Sequence, residues 1–339
     1  MASETSRISA DVDYERNGKQ WGHLHVPNST NESAFGTLMI PVCVIKNGTG
    51  PTLLLTGGVH GDEYEGPLAI MKLARRLHHD DVQGRLILIP GLNLPAFAAG
   101  QRLSPIDGKN LNRAFPGKRE GTITEAIAHY VMHVLFPLAD AVVDLHSGGS
   151  TLDYVPTAII HITDNPQRDA ASAALQRAFG APIALANREL DDVGLLETTA
   201  EKIGKTVLAA ELGGDGRVSK VALEVAETGV DNLLVHLGIT KGRIVTPAER
   251  GRPATRFMDI PDLGCYVKAP ANGIFEPFHE LGAVVTSGSA IGQIHSPHHP
   301  DHPPVPVIAS SAGEVICIRP IGKSEIGDCL FVLAREIAQ

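Results

Sequence analysis

Four cysteines, Cys43, Cys265, Cys317 and Cys329, are all that 339 residues contain, and no two of them form a Cys-x-x-Cys pair. Reduced, mostly buried thiols are the expected state, acting as small hydrophobes rather than nucleophiles. Long apolar runs are missing too. None approaches the roughly 20 residues of a membrane span, so no membrane association is expected. Basic charge is not in excess: the net charge is -9, with no basic patch evident, so nucleic acid is not an expected partner. The opening "MASETSRISADVDYERNGKQ" lacks an apolar signal core, and the expectation is a cytoplasmic protein. What remains is ordinary for a soluble globular chain, with 43% hydrophobic and 20% charged residues. The length suits two domains, or one large domain with an appendage.

The first fifty residues read as strands and turns, with "GTLMIPVCVI" the clearest strand. Strand and helix patterns then alternate. "TLLLTGG", "RLILIP", "ADAVVDLHSGG", "AIIHI" and "KTVLAAELGG" read as strands. "PLAIMKLARRLHH", "TITEAIAHYVMHVLF", "NPQRDAASAALQRAFG" and "VSKVALEVAETGVDNLLVHLG" read as helices, the third with proline near its start and glycine at its end. Thr122 or Thr124 is the expected cap of the second. In the last helix Leu223, Ala226, Val230, Leu233 and Leu237 form one stripe. This alternation predicts an α/β fold with a largely parallel sheet covered on both faces. Between strand and helix, residues 93–117 read as one long polar, glycine-bearing loop, which in a compact domain is usually functional.

Helical signals stop after Gly238. The expected division is an α/β catalytic domain over 1–245, with 1–35 as an N-terminal extension, and a β-rich domain over 252–339. The latter carries a weak internal repeat, "VKAPANGIF" and "VIASSAGEV", which resembles the biotinyl/lipoyl-like barrel sandwich. No lysine lies between Lys268 and Lys323, which argues against a carrier role.

Four strand ends carry polar groups that core packing does not explain: His60 with Glu63, the loop from Arg102 to Arg113, His146, and Glu211. Ligand sites of α/β sheets form at carboxyl ends of strands. His60, Glu63 and His146 make a His2Glu set, two ligands from one turn and a distant third, and a catalytic zinc takes three protein ligands of this kind. His60 and Glu63 alone would equally fit a charged surface turn. The matching contexts of His146 and Glu211 weigh toward a site.

"GGVHGDEYEG", "KNLNRAFPG", "DLHSGG" and "AELGG", in this order, resemble the succinylglutamate desuccinylase/aspartoacylase family, a branch of the zinc carboxypeptidase-like fold. The resemblance spans roughly residues 35 to 335. It implies a mixed sheet flanked by helices, and one zinc ion (Zn2+) per chain on His60, Glu63 and His146. It implies Glu211 as general base and proton shuttle, and Asn112 with Arg113 gripping a substrate carboxylate. Arg102 resembles the arginine that polarises the scissile carbonyl, although its spacing from the Asn-Arg pair departs from that of the relatives. A structural salt bridge remains an alternative for Arg113, and a solvated loop charge for Arg102. The partner implied is a small-molecule N-acyl amino acid. Overall pattern and length resemble the branch acting on Nα-acetyl-L-2,4-diaminobutyrate in ectoine degradation. N-acyl-aspartate or N-succinylglutamate deacylation, a small-peptide carboxypeptidase, and a catalytically silent metal- or ligand-binding protein stay as alternatives. The sequence leaves the oligomeric state open, a homo-oligomer included.

Other polar groups invite weaker readings. Asp62 and Glu65 read as groups behind the ligands or on the surface. Asp144 shares the strand face of His146, either orienting a site group or binding substrate. His295, His298, His299 and His302 in "HSPHHPDHPP" read as an exposed, proline-bearing loop in preference to a metal site. Asp191 and Asp192 read as a solvated turn, or as an anionic patch for a substrate amine.

Overall fold

The computed structural model describes residues 6–187 and 193–337. Asp191 and Asp192 lie outside them. A fifteen-stranded mixed sheet forms the backbone of the molecule. Its central order is Thr37–Asn47, Gly84–Ile89, Thr52–Gly57, Ala141–His146, Thr206–Glu211, Thr157–His161 and Ile183–Asn187. The strands Thr52–Gly57, Gly84–Ile89 and Ala141–His146 are buried along their whole length. That is why they read as unbroken apolar runs rather than alternating ones.

The sheet is less parallel than the alternation predicts. Gly84–Ile89, Thr52–Gly57, Ala141–His146 and Thr206–Glu211 run parallel to one another. Thr157–His161 runs antiparallel to Thr206–Glu211, and the N-terminal strands pair antiparallel as a ribbon. The reason is local. Thr157–His161 comes after Ala141–His146 without the crossover helix that a parallel return requires.

Helices Glu65–Arg76, Pro166–Phe179 and Lys220–His236 cover one face over an aliphatic core. Ala226, Val230 and Leu233 of the expected stripe are fully buried, and Leu223 and Leu237 pack at its edge. Thr122 is the N-cap of helix Ile123–Tyr130, and its backbone N–H donates to Glu125 at 2.9 Å. Where the sequence suggests a single long loop after Asn93, the chain forms a helix at Leu94–Ala99 and a turn at Leu111–Arg113. The proline in the first turn of Leu94–Ala99 hides the helix from a periodicity reading.

The helix pair 166–179 and 220–236 meets at Gly229, where an added Cβ would lie 2.5 Å from the ring of fully buried Phe179. Gly229→Ala gains about 1 kcal/mol of helix propensity but overpacks a ring that cannot move away. The expected outcome is a net loss of up to about 2 kcal/mol in denaturant unfolding. A raised midpoint would contradict this packing.

Beyond Ile183–Asn187, the strand Arg256–Asp259 continues the sheet and pairs with Cys329–Glu336. The remaining C-terminal strands divide between the edge of this sheet and a separate four-stranded sheet. His295 ends a strand and contacts Glu276 at 2.7 Å, and His299 stacks on His302 with ring centroids 4.9 Å apart. Among the described residues, no helix is long and apolar enough to cross a membrane.

Candidate active site

Parallel strands deliver their carboxyl ends to one edge of the sheet. Glu211 pairs in register with His146, and Thr56 with Asp144. The turn after Thr52–Gly57 then carries His60 and Glu63 to the same edge. This turn is docked on helix Leu94–Ala99: the Gly61 N–H donates to the Gln101 carbonyl at 2.9 Å. A Cβ on Gly61 would fall 1.9 Å from the backbone of Ala96, so only glycine permits this approach.

His60, Glu63 and His146 are all buried and all meet. Nδ1 of His60 lies 2.7 Å from Glu63 Oε1, and Nδ1 of His146 lies 2.9 Å from Glu63 Oε2. The outer nitrogen of each ring is fixed by an acceptor. Asn110 Oδ1, which already accepts the Asn112 N–H at 2.9 Å, faces His60 Nε2 at 3.0 Å. Asp144 Oδ2 and Glu197 Oε1 face His146 Nε2 at 3.0 and 3.1 Å. Both Nε2 atoms are thereby the N–H donors, and in the neutral rings both Nδ1 atoms carry lone pairs. A proton on Nδ1 holds each ring to Glu63 when no cation is present, and with the rings neutral the two lone pairs and one carboxylate, within 4.8 Å of one another, suit a cation between them. The donor set therefore fits a metal with nitrogen and oxygen ligands, and the carboxylates behind the rings fit the usual orienting layer.

The electrostatics derive from this packing. Burial works against ionisation of Glu63, yet His60 and His146 hold its pKa well below the usual carboxylate range. Burial likewise opposes the charge on Glu197, and His146 still draws its pKa down to about 2. Burial pushes Asp144 upward. For His146 burial is outweighed by Asp144 and Glu63, which raise it well above an ordinary imidazole.

Glu211 lines the same cavity and is not part of the group His60, Glu63 and His146. Its Oε2 is buried with no hydrogen-bond partner among the described residues. Burial, followed by the charge of Glu63, pushes its pKa up to about 8. Arg102 reaches in from the mouth, Nη1 lying 3.3 Å from His60 Nδ1 and 3.5 Å from Glu63 Oε1. Arg113 is exposed at the rim, and its Nη1 donates to the Asn112 carbonyl at 2.7 Å. Asn112 is buried and more committed than a simple substrate donor. Its Oδ1 accepts the Leu196 N–H at 2.7 Å, and its Nδ2 donates to Glu197 at 3.3 Å.

Asp62 and Glu65 are buried rather than superficial. Asp62 Oδ2 accepts both the N–H and the hydroxyl of Ser150 at 2.8 Å, bracing the loop after His146. Glu65 Oε1 accepts the Ser219 N–H at 2.8 Å. Glu197 is the residue that sequence reasoning misses. It lies on the short helix Leu196–Lys202, which gives no long periodic signal. The available clue was a glutamate opening an otherwise unassigned segment.

His60, His146, Glu197, Glu211, Arg102, Asn112 and Arg113 line a cavity of about 220 Å³. Its walls include Thr157, Ile159 and His161 from one strand and Ile260, Tyr266, Ile316 and Val332 from the C-terminal region. That volume is below the usual range of about 300–1,000 Å³ for drug-sized ligands, which favours a small substrate over a polypeptide.

A family model for the succinylglutamate desuccinylase/aspartoacylase catalytic domain matches residues 49–237. An N-alpha-acetyl-L-2,4-diaminobutyric acid deacetylase from Halomonas elongata is 44% identical over 332 residues, 98% of this chain and 96% of that protein. The product-bound ectoine utilization protein EutE (DoeB) from Ruegeria pomeroyi superposes with a TM-score of 0.93 at 43% identity, covering 97% of this chain and 99% of that one. The succinylglutamate desuccinylase/aspartoacylase of Rhodobacter sphaeroides gives 0.94 at 40% identity, covering 98% and 100%.

Proposed function

This chain belongs to the succinylglutamate desuccinylase/aspartoacylase family, and on that premise we propose that it is a zinc-dependent deacylase of Nα-acetyl-L-2,4-diaminobutyrate, releasing acetate and L-2,4-diaminobutyrate. The observation that carries the reading is the convergence of both Nδ1 atoms on Glu63 with Glu211 in the same cavity. His60, Glu63 and His146 would hold the zinc. When bound, zinc supplies Lewis acidity, acidifying water and polarising a carbonyl oxygen. Glu211 takes a proton from the attacking water and delivers it to the departing amine nitrogen. Arg102 donates to the oxygen that gains negative charge as the carbonyl becomes tetrahedral. Arg113, whose guanidinium is a planar fork, binds the substrate carboxylate, assisted by the Asn112 amide. Asp144 and Glu197 keep His146 in the tautomer that points Nδ1 inward.

The substrate choice is supported by the relative from Halomonas elongata, named for this deacetylation, and by the charges of the wall. Arg102 and Arg113 are the only lysine or arginine side chains lining the cavity among the described residues, and Arg102 stands against His60 and Glu63. Neither remains for a second carboxylate, which N-acyl-aspartate and N-succinylglutamate both bring. Acetate or succinate release should be compared across the three substrates. The diaminobutyrate derivative should lead in kcat/KM by at least about 100-fold, the margin that a mismatched polar group imposes in a closed site. A lead for either dicarboxylic substrate would overturn the assignment.

Arg113→Lys keeps the charge and loses the fork. Its expected effect is a KM raised by about 10- to 100-fold, with kcat changed far less. On a substrate lacking the α-carboxylate, mutant and wild type should converge. A mutant equally inferior on that substrate would give Arg113 another role.

A further inference from the structure

We infer that Asn110 is a positioning residue shared by the candidate metal ligands and the carboxylate grip: one oxygen of its amide sets both His60 and the turn that presents Asn112 and Arg113. This deepens the reading above and rests on it. Asn110 precedes the turn Leu111–Arg113, which the fully buried Leu111 anchors. Its Oδ1 accepts the Asn112 N–H at 2.9 Å and faces His60 Nε2 at 3.0 Å. A backbone N–H can only donate, so the side-chain atom it meets is the oxygen. The amide orientation is thereby fixed, and His60 Nε2 is the donor whether the ring carries one proton or two. One atom with two lone pairs thus gives one to the turn and one to a histidine of the candidate metal site.

The far side of the same turn reaches the other histidine. Asn112 Oδ1 accepts the Leu196 N–H at 2.7 Å, and its Nδ2 donates to Glu197 Oε2 at 3.3 Å. The second oxygen of Glu197, Oε1, faces His146 Nε2 at 3.1 Å. Arg113 is closed in at its backbone. A Cβ on Gly194 would lie 2.4 Å from the Arg113 carbonyl oxygen, and the Gly194 carbonyl accepts the Phe115 N–H at 3.2 Å. Residues 110–113 therefore meet His60 directly and His146 through Glu197, and they carry the groups assigned to the substrate carboxylate. Capping the turn needs only the bond to Asn112. The bond to His60 does nothing for the turn and orients an imidazole from behind. Removing Asn110 Oδ1 should therefore loosen the ring and the carboxylate grip together. A residue acting on His60 alone would change metal binding and leave carboxylate recognition as it is, and one acting on the turn alone would do the reverse.

The test uses the full-length protein. Zinc affinity is read by competition with a chromophoric chelator, which needs no turnover. At saturating zinc, KM, or the inhibition constant where turnover is too slow, is read for Nα-acetyl-L-2,4-diaminobutyrate and for N-acetyl-1,3-diaminopropane, the same molecule without its carboxylate. Asn110→Ala removes the shared oxygen. Zinc affinity should fall by about 10- to 100-fold, the weight of an orienting partner. KM should rise by about 3- to 10-fold for the carboxylate substrate alone, the weight of a neutral hydrogen bond. Asn110→Asp keeps an oxygen for both donors, and should hold zinc affinity at or above wild type with the wild-type ratio of KM values. Should Asn110→Ala fail to fold, Asn110→Ser carries the test: serine still caps the turn but is too short to meet His60 as well, so zinc affinity should fall with the KM ratio kept. An Asn110→Ala protein in which only one readout moves, or neither, overturns the shared role, as does Asn110→Ser with wild-type zinc affinity. A wild type that turns over neither substrate overturns the deacylase reading itself, while the zinc arm is read without turnover, and the two failures are thereby distinct.

Discussion

Glu211→Gln is expected to lower kcat by about 10²- to 10⁴-fold, the usual weight of general acid–base catalysis, while zinc content and KM stay near wild type. The strand Thr206–Glu211 ends with this carboxylate in register with His146, yet the candidate ligand group His60, Glu63 and His146 has three members without it. A fourth protein ligand would close the position that a catalytic metal keeps open. Glutamine preserves shape and hydrogen bonding and cannot take a proton from water. Burial and the nearby Glu63 push the Glu211 pKa up to about 8, so the carboxylate is protonated at neutral pH when only protein charges surround it. A divalent cation on the adjacent ligands reverses the sign of that local charge and favours the ionised base. Zinc binding at pH 7 should accordingly release more protons from wild type than from Glu211→Gln, measurable by titration in buffers of different ionisation enthalpy. Near-normal turnover by Glu211→Gln would remove it from the mechanism. Loss of zinc would move it into the ligand set.

His60→Ala and His146→Ala should each abolish activity and lose bound zinc. Each removes one of the two Nδ1 donors that converge on Glu63. The residues behind the rings predict a graded effect. Glu197→Gln keeps an acceptor for His146 Nε2 but removes a charge, and metal affinity should fall by about 10- to 100-fold, the usual weight of an orienting partner. The measurements are metal content after gel filtration and zinc affinity by competition with a chromophoric chelator. Full occupancy in either histidine variant would contradict the assignment. Glu197→Gln with wild-type affinity would confine Glu197 to holding Asn112, which it also contacts.

The residues of the candidate site were legible because they sit where strong local patterns end. "TLLLTGG", "AVVDLH" and "TVLAAE" are unbroken apolar runs, and a His or Glu at the end of a buried strand has no packing explanation. The covered sheet, the long helices and a cap at Thr122 or Thr124 were legible for the same reason: each is encoded within a few adjacent residues. Glu197 and the His161–Glu201 pair were not, because their partners are 51 and 40 residues away and their helix spans only Leu196–Lys202. Asn112 shows the same limit differently. Its place beside Arg113 is readable, but its clamping by Leu196 and Glu197 depends on a tertiary contact. The antiparallel setting of Thr157–His161 depends on the connection that leaves Ala141–His146, and that connection has no periodicity to betray it.

The most direct test is acetate release from Nα-acetyl-L-2,4-diaminobutyrate, measured on one preparation of the wild-type protein as purified with zinc, after chelation and dialysis, and after addition of one equivalent of zinc. A catalytic metal on His60, Glu63 and His146 predicts activity in the first state, its loss in the second, and its return in the third. Acetate release that persists at full rate in protein shown to contain no metal would contradict it.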